Sequence, residues 1–458
     1  LRPGTDAALA FAFMHIAQRD GLLDMDFIAE KTLGFEEIEP EIRTADPVWA
    51  ERVTGVPSGQ IEEAAHLYCQ GPSLLWLGQG LQRTTFGGNA FRSLATLAAT
   101  TGNLIGQGCG LTYMNGPNTR GVDMDYLTAD HLRDGPAPHL SHLDMPDRLL
   151  DPGQSEALFC WNNNILASSP RQSDLRDALQ RKDLLHVCVD LFHTDTTQYA
   201  DYVLPAASFL EFDDLVIPYF HHTLSAQKQV APQFGEALPN QEIFRRLARS
   251  LGLEALELYE DDATMLNTLV AQTPFEGDFS DLAKIGTARL LTAPREQFGG
   301  EGIPTPSGRV EIASSSAEND GLPRTPFAHA DAAAQDSKLR ILSPASKWLM
   351  NSSYGNDERI RQRLGRQQII VHPTDCSQRA LEDGDEVLVH NDTGELRAVV
   401  CISETVQPGV AVIYKGSWPK HTGGKNVNVL NPGRKSDIAE SSAVHSIEAH
   451  VARVSQSA

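Results

Sequence analysis

Three polar stretches, each following an apolar run, carry the side chains best suited to chemistry in this chain. The first is "GQGLQRTTFGG" (78–88). The Gly78-Gln79-Gly80 turn can free backbone N–H groups and let a ligand approach the main chain, and Gln82 and Arg83 add side-chain donors. The second is "WNNNILASSP" (161–170), where Asn162, Asn164, Ser168 and Ser169 offer uncharged donors and acceptors suited to phosphate oxygens or a heterocycle edge. The third is "HTDTTQYADYVLPAASFLE" (193–211), entered from the strand-like "LLHVCVD", whose final Asp190 can accept two parallel N–H bonds from a guanine-like edge. Crevices at the carboxyl ends of strands are where open α/β sheets hold ligands. Each stretch also has a plain structural alternative: a tight turn for the first, and a one-turn helix started by Thr194 or Asp195 for the third. Three in succession on one sheet point to a large, polar, phosphate-bearing ligand.

Other chemistries lack their signatures. No Walker A sequence occurs, the G-x-G of 78–80 lacks the spacing of a dinucleotide fingerprint, and no G-x-S-x-G elbow is present. That disfavours an ordinary nucleotide-dependent dehydrogenase and a serine hydrolase. Six cysteines (69, 109, 160, 188, 376 and 401) form no C-x-x-C pair, so neither a disulfide scaffold nor a zinc or iron–sulfur ligand set follows. Cys160 and Cys188 lie within apolar strand patterns and read as core thiols. His193, His221, His222, His372 and His421 read as structural, and none is assigned a catalytic role. A net charge of -22 over 458 residues disfavours nucleic acid and anionic membranes as partners, and no run of 18 apolar residues exists to span a membrane.

The elements that must position these stretches are legible from periodicity. "LRPGTDAALAFAFMHIAQRDG" opens a helix with Thr5 or Asp6 as cap and Gly21 as stop, apolar on more than one face and therefore buried. Ser58 caps a second helix over 58–69. "SLLWLGQG" reads as a buried strand and "NAFRSLATLAAT" as a helix, followed by strands at "ALFCW", "LLHVCVD" and "DYVLP" with a helix around 173–181 between the first two. Strands alternating with helices predict a parallel or mixed sheet covered on both faces. "NQEIFRRLARSLGL" (240–253) is an amphipathic helix capped by Asn240, with Ile243, Phe244 and Leu247 on one face. The stretch 271–337 reads as long surface excursions. After residue 338 short strands separated by turns ("LRILSPAS", "QQIIVHP", "DEVLVHND", "ELRAVVCI", "GVAVIYKGSW") predict a closed barrel that hides its edges.

The order of these motifs resembles the molybdopterin oxidoreductases of the dimethyl sulfoxide reductase family, which bind bis-molybdopterin guanine dinucleotide. The likeness runs from "RPGTDAALAFAFMHIAQRDGLLDMDFI" through "LGQGLQRTTFGGNAFRSLATLAATTGNLIGQGCG", "FCWNNNILASSP", "VCVDLFHTDTTQYADYVLPAASFLE" and "PNQEIFRRLA". It continues to "LSPASKWLMNSSYGN", "HPTDCSQRALEDGDEVLVHNDTGE", "VQPGVAVIYKGSW" and "GKNVNVL". The ordered set is far more specific than any one motif, and it covers what corresponds to the C-terminal two-thirds of a catalytic chain. It implies α/β cofactor-binding domains followed by a C-terminal β-barrel of the double-psi type. Residues 1–72 would be the remainder of a dinucleotide-binding domain, 73–337 a second cofactor domain with long loops, and 338–458 the barrel.

Carried over residue by residue, the resemblance places cofactor contacts at Gly78, Gln79, Gly80, Gln82 and Arg83, at Asn162 and Asn164, and at Ser168 and Ser169 near phosphate. Asp190 and Asp195 would face guanine, His193 and Thr194 the adjoining nucleotide, and Asp201 would shape that connection. In the barrel, Ser346, Lys347 and Asn351 would approach one pterin, and Asn426 and Asn428 the other half of the ligand. A solvated lysine remains the alternative for Lys347, and a turn role for Asn428.

The departures from the family matter as much. The metal ligand and any cluster-binding cysteines lie upstream of the family segment matched here, so no metal ligand is assigned in this chain. The tail "DIAESSA" is also less glycine-rich than the family pattern. The resemblance implies a molybdenum or tungsten enzyme transferring oxygen atoms, hydride or electrons. It would work with an upstream segment or partner subunit that supplies the metal ligand, and with an electron-transfer protein. Any iron–sulfur cluster would sit in the upstream sequence or a partner, and the isolated chain would be inactive. A non-catalytic structural or assembly subunit retaining the fold is the competing reading. Reducing, cytoplasmic surroundings fit the cysteines better than oxidising ones, with a periplasmic location left open.

Overall fold

A computed structural model describes residues 1–113, 122–136, 138–218, 221–290, 297–298 and 302–454. The chain divides into two compact units, one formed by Leu1–Tyr113, Ala167–Asp174 and Arg295–Ala458, the other by Met114–Leu166 and Leu175–Pro294.

In the first unit the opening helix, Asp6–Arg19, buries Ala8, Phe11, Met14, Ile16 and Ala17 and so is covered on more than one side, as its sequence requires. Thr5 stands at its cap position, but the hydroxyl donates to the Arg2 carbonyl (2.6 Å) instead of accepting from the helix. The cap of the Ser58–Cys69 helix lies one residue earlier than expected: Pro57 is the N-cap and Ser58 the first helical residue. Proline's restricted φ suits that entry and leaves the serine side chain without a capping role. Two short strands, β1 (Thr32–Leu33) and β10 (Val310–Glu311), pair in parallel. So do β2 (Leu74–Trp76) and β3 (Gly110–Thr112). The strand expected at "SLLW" exists but is not buried, since Trp76 is 72% exposed and Leu74 49%. With period-2 alternation and a single partner strand, only Leu75 and Leu77 turn toward apolar neighbours.

The C-terminal part of this unit is a closed barrel of six strands: β11 (Leu339–Leu342), β12 (Gln368–Val371), β13 (Glu386–His390), β14 (Glu395–Ile402), β15 (Val410–Val412) and β16 (Ile447–Arg453). Their order is β11-β15-β12-β14-β13-β16, with β11–β15 and β12–β14 parallel and the remaining pairs antiparallel. Alternate residues fill its core, including Ile341, Ile369, Val371, Val387, Val389, Val400 and Ala411. The closing strand β16 was not anticipated from the sequence. Its Ile447, Ala449 and Val451 point in while Glu448 and His450 point out, a half-polar pattern that gains its meaning only from the two strands flanking it.

The second unit is built on β4 (Ala157–Trp161), β5 (Leu185–Asp190) and β6 (Tyr202–Pro205), all parallel in the order β4-β5-β6. Leu149, Cys160, Ile165, Leu166, Leu175, Ala178, Leu179 and Cys188 form its core, so both thiols are buried as the strand patterns implied. The Asn240–Leu251 helix is preceded by Pro239 at the cap position, and Asn240 makes no capping bond. Ile243 is buried, but Phe244 is 38% exposed and lies against Phe159 and Trp161 (ring centroids 6.0 and 5.4 Å). The stretch 271–337 is not wholly irregular. It includes the Phe279–Ile285 helix, opened by a reciprocal Asp278–Asp281 capping box, and the strand β9 (Thr287–Arg289). That strand joins β7 (Asp214–Val216) and β8 (Thr223–Gln227) in an antiparallel sheet. Residues 291–296 and 299–301 of the stretch lie outside the described residues.

Candidate functional site

In the second unit the carboxyl ends of β4 and β5 are tied together by a buried polar network. Asn162, at φ +52, adopts the left-handed backbone that asparagine tolerates, and its N–H donates to Val189 O (2.8 Å). The buried Asn164 donates from Nδ2 to Asp195 Oδ2 (2.9 Å), and its Oδ1 accepts from Thr196 Oγ1 (2.9 Å) and the Thr196 N–H (3.3 Å). Thr196 Oγ1 accepts in turn from the Leu166 N–H (3.2 Å). Thr194 Oγ1 accepts from the Thr197 N–H (3.2 Å) just ahead of the single turn Thr197–Tyr199, whose cap position is held by Thr196, without a side-chain cap bond, and not by Thr194 or Asp195. Asn164, Thr194 and Asp195 therefore bond within the protein, where they fix the loop.

Asp190 differs. It ends β5, and its carboxylate takes main-chain N–H bonds from its own turn, with Phe192 N at 3.3 Å. Burial pushes its pKa above the usual carboxylate range, partly offset by the N–H groups of Phe192 and Leu191. A half-buried carboxylate at a strand end with lone pairs to spare is suited to a ligand presenting paired N–H groups. His193 is exposed on the same connection. Asp201 accepts from the His186 N–H (2.8 Å), while its own N–H donates to His186 O (2.8 Å), so it pins the start of β6 to β5.

In the first unit the glycine-rich turn divides into two halves. A Cβ on Gly78 would meet nothing within 4 Å, and one on Gly80 only His445 Nε2 at 4.0 Å, so this half borders open space that a ligand could enter. Gln79–Arg83 forms a short 3₁₀ turn carrying Gln82 and Arg83. The second half is structural. A side chain on Gly87 would collide with the Gln82 backbone, and one on Gly88 with Ile438. Beyond it, the Asp437 carboxylate accepts from the N–H groups of Gly88 and Asn89 (2.7 and 2.8 Å) at the start of the Gly87–Thr100 helix. The positive helix end is thus satisfied from within the chain.

The remaining candidates separate the same way. Asn426 is almost wholly buried, donating to Ala167 O (2.9 Å) and Ser417 O (2.8 Å) and accepting from Gln172 Nε2 (3.1 Å). Asn428 also donates to Ala167 O (2.9 Å). These two amides anchor the barrel's last loop to residues 167–174, which hold the exposed Ser168 and the buried Ser169. Ser346 Oγ accepts from the Trp348 N–H (3.2 Å). Lys347 is exposed with its ammonium 4.9 Å from the Trp348 ring centroid, and Arg363 lies 4.6 Å from the same ring. Asn351 is exposed at φ +53, its carbonyl packed so closely on Gly416 that a side chain there would not fit.

Residues 1–250 match the family described as molybdopterin oxidoreductase, and residues 339–448 the molydopterin dinucleotide binding domain. The chain belongs to the molybdopterin oxidoreductase family. It is 32% identical to the "Probable oxidoreductase YoaE" of Bacillus subtilis (strain 168), over 96% of this chain and 65% of that protein. It is 25% identical to the dimethyl sulfoxide/trimethylamine N-oxide reductase of Rhodobacter capsulatus, over 91% of this chain and 58% of that protein. The chain therefore spans less than two thirds of the length of these curated relatives. Among solved structures, acetylene hydratase from Pelobacter acetylenicus superposes over 99% of this chain and 71% of its own, with a TM-score of 0.79 at 20% identity, a likeness of fold.

The structure also brings forward side chains that motif reading passed over. Lys415 follows β15, its N–H donating to Pro344 O (3.0 Å). Burial, and secondarily the charge of Arg83, lowers its pKa. His445 donates its backbone N–H to Arg83 O (2.9 Å), and burial, then the charges of Lys415 and Arg83, lower its pKa to about 4. The lysine closing an apolar run in "AVIYKGSW" was a usable signal, whereas nothing local marks His445 or Asp437. Among the described residues no group of three or more His, Cys, Asp or Glu is placed to hold a metal ion, and no helix is long and apolar enough to cross a membrane.

Proposed function

We propose that this chain furnishes much of the cradle for bis-molybdopterin guanine dinucleotide in a molybdenum or tungsten oxidoreductase. The observation that carries the proposal is the pairing of two features within a family that handles this cofactor. One is a half-buried strand-end carboxylate, Asp190, with spare acceptor capacity; the other is a glycine turn at 78–80 open to a ligand. Both fit the group chemically, the carboxylate matching the paired N–H donors of guanine and the turn the close approach of a large polar ligand.

When bound, the cofactor supplies a metal that changes oxidation state during oxygen-atom, hydride or electron transfer. The residues of this chain bind and orient. Asp190 accepts guanine N–H groups, with Asn162 and His193 beside it. The Asn164–Asp195–Thr196 network holds that loop, Thr194 ties its turn through the Thr197 N–H, and Asp201 sets the register of β6 against β5. Gly78, Gln79, Gly80, Gln82 and Arg83 offer main-chain and side-chain donors, and Ser168 and Ser169 lie where phosphate would be met. Ser346, Lys347 and Asn351 border the pterin region, which Asn426 and Asn428 stabilise through the loop they anchor. The two parallel pairs within the closed barrel support a double-psi topology. The metal ligand comes from an upstream segment or a partner subunit, electrons pass through a separate protein, and the isolated chain is inactive. A cytoplasmic location agrees with six unpaired cysteines.

Elemental analysis and released-nucleotide analysis of the native full-length protein, matured in a competent host, test this reading. Molybdenum or tungsten with about two guanine nucleotides per protein is the expected result. Asp190→Asn, which loses one acceptor, should lower the guanine retained. A folded, matured protein carrying neither metal nor nucleotide would overturn the proposal and leave a non-catalytic assembly subunit.

A further inference from the structure

We infer that Arg83, Lys415, His445 and Tyr113 form an oxyanion pocket beside the Gly78–Gly80 turn, built for a phosphate-type group. The inference rests on the proposed function only for which molecule brings that group.

Four observations converge. First, Lys415 stands close enough to Arg83 to feel its charge, yet neither has an ion-pair partner among the described residues. In a chain with 60 Asp and Glu against 38 Lys and Arg, carboxylates were abundant. Two partly desolvated cations left together repel each other, and an anion between them offsets both that repulsion and the desolvation. Second, the loops bring these groups to one place. The His445 N–H bonds Arg83 O (2.9 Å), the Ser343 N–H donates to His445 Nδ1 (3.4 Å), and Lys415 pairs with Pro344 and Ala345.

Third, the bond from Ser343 decides the imidazole's tautomer. With Nδ1 accepting, neutral His445 carries its proton on Nε2, the nitrogen nearest the open Gly80. Burial, and then the charges of Lys415 and Arg83, keep the ring neutral at pH 7, so it acts as a hydrogen-bond donor there and adds no third cation. Fourth, the Tyr113 hydroxyl is buried and has no hydrogen-bond partner among the described residues, while its ring senses the charge of Arg83. A buried hydroxyl without a partner is costly and calls for a ligand group. Together they supply a guanidinium, an ammonium, an imidazole N–H and a phenol O–H, with main-chain N–H groups available from an unobstructed turn. That donor set suits a diphosphate or another tetrahedral oxyanion.

Inorganic pyrophosphate titrated calorimetrically into the full-length protein, matured in a host unable to make the cofactor, tests the pocket. The variants are Lys415→Gln, His445→Gln and the milder Tyr113→Phe, with Lys284→Gln as a surface control. Wild type and control should bind alike. Lys415→Gln should bind about tenfold or more weakly, and Tyr113→Phe several-fold more weakly with its fold intact. If cofactor-loaded protein no longer takes pyrophosphate, the natural occupant is a phosphate of the cofactor. If it still does and the variants still weaken binding, the occupant is a free oxyanion. Absence of wild-type binding, or unchanged affinity in folded Lys415→Gln and Tyr113→Phe, would overturn the pocket. The two readings fail separately: native protein without metal or nucleotide, but with variant-sensitive pyrophosphate binding, removes the cofactor function and leaves the pocket.

Discussion

Replacing Asn164 by alanine probes the junction on which the second unit's ligand-facing loop depends. Asn164 is 4% exposed, Asp195 4% and Thr196 fully buried, so water cannot readily take over the lost bonds. The substitution removes a hydrogen bond to a carboxylate (Nδ2 to Asp195, 2.9 Å) and one from a hydroxyl (Thr196 Oγ1, 2.9 Å), and it strips an acceptor from the Thr196 N–H. A bond to a charged group contributes about 1.5–3 kcal/mol and a neutral one about 1 kcal/mol, with more lost where a buried partner stays unsatisfied. The expected destabilisation is about 3–4 kcal/mol, large against a domain's total of about 5–15 kcal/mol. Urea unfolding followed through Trp161, which closes β4 next to this loop, reads it locally. A double-mutant cycle with Thr196→Val should show a coupling of about 1 kcal/mol, since the two side chains share one bond. Guanine nucleotide retained by the full-length variant should fall in parallel, because Asp190 lies on the strand whose exit this network holds. A loss below about 1 kcal/mol, or a coupling indistinguishable from zero, would refute the view that these bonds fix the loop.

Two further outcomes follow from the first unit. Gly88→Ala drives a methyl group into Ile438 and should cost about 1–3 kcal/mol in urea unfolding, and Ile438→Ala in the same protein should recover most of it. If the double variant is no more stable than Gly88→Ala alone, the glycine is present for another reason. His445 has a folded pKa of about 4 against an ordinary 6.5, so protonation favours the unfolded chain. Its contribution is therefore fully present above pH 6.5 and is lost as pH falls toward 4, by up to about 3 kcal/mol. His445→Gln should flatten this part of the stability–pH profile, and identical slopes for wild type and variant between pH 7 and 4 would contradict the assignment.

Local pattern alone carried a good deal. The parallel strands β4, β5 and β6 and the first five barrel strands coincide with runs whose apolar spacing and bordering turns had marked them. The burial of Cys160 and Cys188 and of the opening helix was legible for the same reason: a residue's burial is written in the hydrophobic period around it. Helix entries were less secure, as Pro57 and Pro239 show. The cap was expected at the polar residue, but the restricted proline before it holds that place. Phe244 and Trp76 were expected inside because they are apolar, yet exposure depends on how many neighbouring elements cover a face.

The alternation of strands and helices and the change to short strands after residue 338 are legible in the residues alone, because each is set by neighbours within a few positions, and the order of motifs along the chain marks the family. What the polar side chains of those motifs do depends on how the chain packs. Asn164, Thr194, Asp195, Asn426 and Asn428 have the chemistry of ligand contacts, but their partners are carbonyls, carboxylates, hydroxyls and N–H groups of the chain itself. Conversely, His445 stands beside Gly80 and its N–H bonds Arg83 O, although the residues are more than 350 positions apart in the sequence. A hydrogen bond acts over about 3 Å and has no memory of sequence distance, so its partner is settled by packing.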